Sequence, residues 1–314
     1  MRRAALFLLY CTGLAAQIRV NVGLVTITCE VTDRSGAPVK DLQIGDFEVR
    51  DNGREQKIDS LWQEQDLPLT IGLLVDVSGS QSAFIDQHRN AVMQFLSQIL
   101  TPKDRAFIVT IGTEVKLLAD VTGSIGELER AADLIDPLQA HGQQFGESCF
   151  ATIPGRGCGG TALWNGVYAA ARQKMKWIDG RKALIVISDG FDTGSPHALP
   201  DAVEAVQESA SVVYAIKYVD PSVTPASAGI TRRKAAERGL ERLTDETGGY
   251  TFPDPGGQLG EVFAHIERDL RSQYVLGFTP PVEARDGRYH KLAVRMRQRG
   301  WMVRARAGYY AQSR

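Results

Sequence analysis

Asp76-Val-Ser-Gly-Ser80 puts one carboxylate and two hydroxyls side by side, directly after the apolar run Leu69-Thr-Ile-Gly-Leu-Leu-Val75. Oxygens of this kind are hard donors, suited to Mg²⁺ or a similar ion rather than to zinc or copper. The same serines have a second use. Ser78 or Ser80 can cap a helix starting near Ser82, satisfying its first free N–H groups. Two further stretches add oxygen atoms. Gly159-Gly-Thr161 opens a helical pattern with a hydroxyl, and the apolar stretch 183–187 ends in Ser188-Asp189-Gly190, with a second carboxylate. Asp192 either supports that group from outside or caps the next turn. The candidate metal ligands are therefore Asp76, Ser78, Ser80, Thr161 and Asp189.

Other chemistries find less support. The histidines His88, His141, His197, His265 and His290 are scattered and form no H-E-x-x-H pair, so a zinc peptidase is not indicated. No G-x-x-x-x-G-K-[ST] loop and no G-x-S-x-G elbow occurs, which disfavours a P-loop nucleotide hydrolase and an α/β-hydrolase. A Mg²⁺-dependent phosphohydrolase with Asp76 as nucleophile is the nearest enzymatic reading, but such enzymes want a second Asp where this chain has Ser78. The reading is accordingly non-enzymatic. Lys and Arg number 36 against 37 Asp and Glu, a net charge of −1. No basic excess is present to neutralise phosphates, so nucleic acid is not the expected partner. The four cysteines contain no C-x-x-C pair, which leaves a cysteine zinc site without its ligands.

These residues need a frame, and the pattern of residues 67–271 supplies one. Apolar runs at 69–75, 106–111, 183–187 and 212–216 suit strands buried on both faces. Between and after them, apolar residues recur at helical spacing over 84–100, 125–134, 161–175, 199–210, 234–247 and 259–270. Such βα alternation predicts an α/β fold, a doubly wound and mostly parallel sheet with right-handed crossovers. Functional groups then belong on loops at the carboxyl ends of the strands.

The flanks read differently. Residues 17–66 and 272–314 alternate with period two and are broken by turn signals such as Asp51-Asn-Gly53 and Asp286-Gly287. Neither flank has strands enough for its own core, so the two are expected to build one β-sandwich-like domain, with the α/β unit inserted between them. Residues 1–16 carry Arg2 and Arg3, an apolar stretch and small residues at its end, the pattern of a signal peptide. An uncleaved anchor is the alternative. Export to the periplasm, the cell surface or the medium follows, with no membrane span after cleavage. Arg288, Arg295, Arg297, Arg299, Arg304 and Arg306, at strand spacing, are expected on a solvated sheet face.

Asp76-x-Ser-x-Ser80, Gly-Gly-Thr161 and Ser-Asp189-Gly, in this order, resemble the metal-ion-dependent adhesion site of von Willebrand factor type A domains. The likeness extends to Asp46-Phe-Glu-Val-Arg-Asp-Asn-Gly53, Pro102-Lys-Asp-Arg105, Arg268-Asp-Leu-Arg-Ser-Gln-Tyr274 and Val303-Arg-Ala-Arg-Ala-Gly-Tyr-Tyr310. Together these look like the VWFA-related family of secreted bacterial proteins. The resemblance implies that Ser78, Ser80 and Thr161 lie near a Mg²⁺ ion (or Mn²⁺ or Ca²⁺), with Asp76 and Asp189 binding directly or through water. It implies binding of a protein partner that offers an Asp or Glu carboxylate. A structural or assembly component of the envelope, its metal mainly stabilising the fold, is the alternative. The chain departs from the compact pattern in the Gly-rich stretch 139–158, where Phe145 and Glu147 are candidates for touching a partner. Cys149 and Cys158 form a disulfide or remain two free thiols. Cys29 is expected to be a buried free thiol.

Overall fold

The computed structural model describes residues 23–63, 68–136, 143–145, 160–218, 229–253, 255 and 258–311. The expected signal segment, Glu147, Cys149 and Cys158 lie outside the described residues. The strands in chain order are β1 (Val25–Thr32), β2 (Phe47–Asp51), β3 (Arg54–Gln56), β4 (Ile58–Gln63), β5 (Leu69–Asp76), β6 (Arg105–Ile111), β7 (Val115–Thr122) and β8 (Gln143–Gln144). They continue with β9 (Arg181–Ser188), β10 (Val212–Lys217), β11 (Thr251–Phe252), β12 (Tyr274–Phe278), β13 (Tyr289–Met296), β14 (Met302–Ala305) and β15 (Gly308–Tyr310). The helices are α1 (Ile85–Ile99), α2 (Ile125–Asp133), α3 (Leu163–Ala169), α4 (Leu199–Glu208), α5 (Gly229–Thr247) and α6 (Leu259–Ser272).

The central sheet has the order β11-β10-β9-β5-β6-β7-β8. β11, β10, β9, β5 and β6 run parallel, and β7 and β8 are antiparallel additions at one edge. β5 is buried along its whole length because helices cover both faces. Leu69, Ile71, Leu73 and Val75 turn to the face packed by Val92, Phe95 and Leu96 of α1 and by Phe263 and Ile266 of α6. Leu74 turns to the other face, against Leu163 and Val167 of α3, Val203 and Val206 of α4 and Leu240 of α5. Each such aliphatic side chain contributes about 1.5–3 kcal/mol on full burial. The strand Val115–Thr122 was not anticipated. Its alternation of buried Val115 and Leu117 with half-buried Lys116 is an antiparallel edge pattern, less conspicuous than the continuous apolar runs. The expected helix over 161–175 is α-helical only over α3 and continues as a wider π-type turn over Ala170–Lys174.

The start of β5 is anchored by Asp104, whose Oδ1 accepts the Leu69 N–H at 2.8 Å and whose Oδ2 accepts the Thr101 N–H and hydroxyl at 3.0 and 2.6 Å. Arg271 of α6 lies 3.6 Å from the same carboxylate. The Pro-Lys-Asp-Arg105 stretch is therefore a strut at the end of the sheet remote from Asp76.

Strands from the two chain ends share two further sheets, β14-β1-β12-β4 and β15-β13-β2-β3. Ile27 pairs with Leu276 and Cys29 with Tyr274 across β1 and β12, and Val49 pairs with Val294 across β2 and β13. The facing sides enclose one core that includes Ile27, Val31, Phe47, Val49, Leu276, Phe278 and Leu292, which makes the arrangement a β-sandwich. Asn52 and Gly53 both have positive φ (46° and 82°), as the tight turn between β2 and β3 requires. Beside it, Asp51 bridges the sheet edge: its Oδ1 lies 2.8 Å from His290 Nδ1, and its Oδ2 accepts the Tyr309 hydroxyl at 3.0 Å. Cys29 is a free, buried thiol, pushed up to about 12 by desolvation and then by Glu30. The expected solvated arginine face holds only in part. Arg297 pairs with exposed Glu55 at 2.8 Å, but Arg306 turns inward and donates to backbone carbonyls.

Candidate metal centre

β5 and β9 are neighbours, but the sheet grows from β5 toward β6 and from β9 toward β10, on opposite sides. Such a reversal opens a crevice at the carboxyl ends of the two strands. Asp76 is the last residue of β5 and Ser188 the last of β9, so both chains deliver polar side chains to that crevice.

Asp76 is 0% exposed. Its Oδ1 accepts the Ser78 N–H at 2.9 Å, and its Oδ2 accepts the Ser188 hydroxyl at 2.6 Å. The Ser80 hydroxyl donates to Asp189 Oδ2 at 2.6 Å and lies 3.1 Å from the Ser78 hydroxyl. Asp189 is buried too, and its Oδ1 takes the Phe191 N–H at 3.1 Å. Burial, and then the like charge of Asp189, push Asp76 up to about 7. The charge that acts most on Asp76 is that of Asp189, and it has the same sign. Two adjacent buried carboxylates flanked by hydroxyls and lacking a basic partner fit a divalent cation, whose charge would offset their repulsion.

The capping alternative for the serines finds no support. Ser78 stands at the start of the 3₁₀ turn Gly79–Phe84, but its side chain makes no capping hydrogen bond. By contrast Ser124, ahead of α2, accepts the Glu127 N–H at 3.3 Å. Ser80 spends its proton on Asp189, across 109 residues of sequence.

Thr161 is held against the β9 loop through its backbone. Its N–H donates to Thr193 Oγ1 at 3.0 Å, and its carbonyl accepts from the N–H groups of Thr193 and Gly194 at 3.0 and 3.1 Å. Gly160 makes this contact possible: its φ is +112°, and a Cβ there would stand 1.7 Å from Thr193 Oγ1. Asp192 Oδ1 accepts the Trp164 N–H at 3.1 Å and also the Ser195 hydroxyl, while Ser195 Oγ accepts the Asn165 N–H at 2.9 Å. Free N–H groups at the start of α3 are thus satisfied by side chains following β9. Asp192 also accepts from the Ser195 N–H, so it caps its own turn as well. It fixes the start of α3, the helix that follows Thr161. Gly190 (φ +82°) has the same tightness, since a Cβ there would meet the Ala236 carbonyl at 2.8 Å, and its N–H donates to Ser188 Oγ at 3.0 Å.

The structure therefore joins Asp76, Ser78, Ser80 and Asp189 through one chain of contacts and places Thr161 on the adjoining loop. Sequence reasoning missed the roles of Ser188, Thr193 and Ser195. The first lay inside the Ser-Asp-Gly run, and the other two sit in the polar stretch Asp192-Thr-Gly-Ser195. Phe145 is a correction. Expected at a partner surface, it is 4% exposed, packs in the core layer with α3 and donates its N–H to the Val115 carbonyl at 2.9 Å. A buried aromatic edge residue cannot meet a partner without opening that layer. Among the described residues no three His, Cys, Asp or Glu side chains gather into a metal-binding group.

A doubly wound sheet of this strand order, with D-x-S-x-S leaving its central strand, has the von Willebrand factor type A (VWA) fold. No protein-family model matches the chain, and no curated protein matches it. Among solved structures, an aerotolerance-related membrane protein from Bacteroides fragilis is similar at 13% identity over 64% of this chain and 98% of its own, with a TM-score of 0.46. The vWF domain of the type V pili tip protein Mfa5 from Porphyromonas gingivalis is similar at 13% identity over 64% of this chain and 94% of its own, with a TM-score of 0.46. Proximal thread matrix protein 1 from the mussel byssus, solved with a zinc-occupied MIDAS motif, is similar at 14% identity over 69% of this chain and 48% of its own, with a TM-score of 0.48. The strand order and the position of the site turn, rather than these distant likenesses, carry the fold assignment. No helix among the described residues is long and apolar enough to cross a membrane.

Proposed function

We propose that this chain is an exported, non-enzymatic binding protein whose α/β unit holds a divalent cation and uses it to take a carboxylate from a protein partner. Asp76, Ser78, Ser80, Thr161 and Asp189 would hold the ion, with Mg²⁺ the first choice and Mn²⁺ or Ca²⁺ the alternatives. The bound ion supplies a Lewis-acid point that accepts an oxygen donor from outside. The observation that carries the reading is the contact chain from buried Asp76 through Ser78 and Ser80 to Asp189. Neutral hydroxyls in place of a third carboxylate leave the ion charge enough to attract an Asp or Glu side chain. In this reading residues 17–66 and 272–314 form the supporting module, 67–271 the binding unit, and 1–16 the export signal.

An Asp nucleophile is disfavoured by the same geometry. Asp76 is 0% exposed, and both its oxygens already accept hydrogen bonds. The alternative of an envelope assembly component draws on a different feature. The bonds from Ser80 to Asp189 and from Ser188 to Asp76 tie the ends of β5 and β9 together, so an ion there would also stabilise the fold.

A pull-down from envelope extract with the full chain separates the readings. Capture that needs Mg²⁺, is lost in EDTA, returns on Mg²⁺ addition and fails for Asp189→Ala supports the proposal, provided the circular dichroism spectrum stays constant. If chelation unfolds the chain as it abolishes capture, the stabilising role is favoured. Capture that is indifferent to EDTA and to Asp189→Ala sinks the metal-dependent reading.

A further inference from the structure

A cavity of about 200 Å³ lies where the sandwich meets the C-terminal end of α4, away from the metal centre. Its walls include Thr26 of β1, Gln207 and Glu208 of α4, and Arg285, Arg306 and Tyr309. The space exceeds what a single water needs.

Two guanidinium groups line this space without carboxylate partners among the described residues. Arg306 donates from Nη1 to the Gln207 carbonyl at 3.2 Å and from Nη2 to the Thr26 carbonyl at 2.6 Å. Its Nε is buried and has no hydrogen-bond partner. Burial lowers Arg306 to about 10, and the groups acting against that shift are Tyr309 and Tyr289, not an Asp or Glu. The Arg285 Nε is likewise buried with no partner. Its guanidinium packs so closely on Gly23 that a Cβ at that glycine would meet Nη2 at 2.2 Å. Glu208, the acid of the wall, is already committed to Arg172 and Lys176.

Buried donors left unmade cost free energy, and a desolvated positive charge with no counter-charge costs more. The planar fork of a guanidinium matches the paired oxygens of a carboxylate or phosphate. We propose that this cavity is an anion-binding site, which takes a small molecule through a carboxylate or phosphate group held by Arg285 and Arg306. Because Arg306 already links the α4 end to β1, an anion bound there draws the sandwich and the α/β unit together at that seam.

Titration calorimetry on the full chain tests this, with inorganic phosphate and succinate as separate probes, EDTA present and ionic strength held constant with chloride. The expected result is saturable binding of at least one probe, weakened ~10-fold or more by Arg285→Gln. Arg285→Gln should melt at or above the wild-type temperature without anion, because the buried Arg285 Nε has no partner among the described residues. Should that variant fail to fold, Arg306→Lys takes its place, retaining the charge but losing the fork, with the same weakening expected. Binding of phosphate alone assigns a phosphate group, and binding of succinate alone assigns a carboxylate. Asp76→Ala should bind the probe as wild type does, which separates this site from the metal centre. Absence of saturable binding to the wild type, or binding unchanged by the arginine substitution, overturns the proposal.

Discussion

Gly160→Ala tests how the chain holds Thr161 in place. Gly160 has a φ of +112°, and an added Cβ would stand 1.7 Å from the Thr193 hydroxyl oxygen and 2.9 Å from its Cβ. The variant must therefore either strain its backbone, at about 1–3 kcal/mol, or part the two loops. Parting them sacrifices the bond from the Thr161 N–H to Thr193 Oγ1, now 3.0 Å, which contributes about 0.5–1.5 kcal/mol. Either way the cost is about 0.5–3 kcal/mol, which lowers the melting temperature by roughly 1–12 °C. Because Thr161 then loses its tie to the loop after β9, Mg²⁺ affinity should fall by about 10–100-fold, as it does when a group orienting a ligand is lost. Thermal unfolding by circular dichroism and calorimetric Mg²⁺ titration read the two effects. Gly126→Ala is the control. That glycine lies in α2 with nothing within 4 Å of an added Cβ, so the change should be neutral or stabilising by about 0.5–1 kcal/mol, with metal binding untouched. If Gly160→Ala melts and binds Mg²⁺ as the wild type does, the loop contact is not what positions Thr161.

Three further outcomes are expected. Ser80→Ala removes the donor to Asp189, so Mg²⁺ affinity should drop by about 10–100-fold with the circular dichroism spectrum preserved; unchanged affinity would count against Ser80 as part of the site. Phe145→Ala empties a buried position in the core layer and should cost about 3–5 kcal/mol in urea unfolding, whereas a loss near zero would return Phe145 to the surface. Asp269 is raised from 3.8 to about 8, first by burial and then by Glu30. Its folded state holds the proton more tightly than the unfolded chain, so its contribution is complete below the ordinary carboxylate range and is lost as pH rises toward 8. Asp269→Asn should flatten that part of the pH–stability curve, and a curve of unchanged slope would refute the assignment.

Much of the site was legible because its residues sit at the ends of recognisable strands. Asp76 ends a buried run, and Ser188-Asp189-Gly190 closes another, so the α/β pattern alone brings both carboxylates to one sheet edge. What the sequence could not display was which atoms meet. The contact of Ser80 with Asp189 and that of Ser188 with Asp76 each span more than 100 residues, and the first of them counts against a capping role for Ser80. The role of Asp192 was open for the same reason, since the helix start it serves lies 28 residues earlier in the chain. The expectations for Phe145 and Arg306 failed where local polarity misleads. A Gly-rich, polar neighbourhood hid one buried ring, and regular arginine spacing suggested a wet face for a side chain that donates to the backbone of two other elements. The strand Val115–Thr122 was passed over because an edge strand alternates and lacks the unbroken apolar run of its parallel neighbours.

Calorimetric titration of the full chain with Mg²⁺, wild type against Asp189→Ala, tests the central claim most directly. The account predicts saturable binding of one Mg²⁺ per wild-type chain, and its loss in Asp189→Ala while the variant keeps its circular dichroism spectrum. A wild-type chain that binds neither Mg²⁺, Mn²⁺ nor Ca²⁺ saturably, or an Asp189→Ala chain that binds as tightly as the wild type, would contradict it.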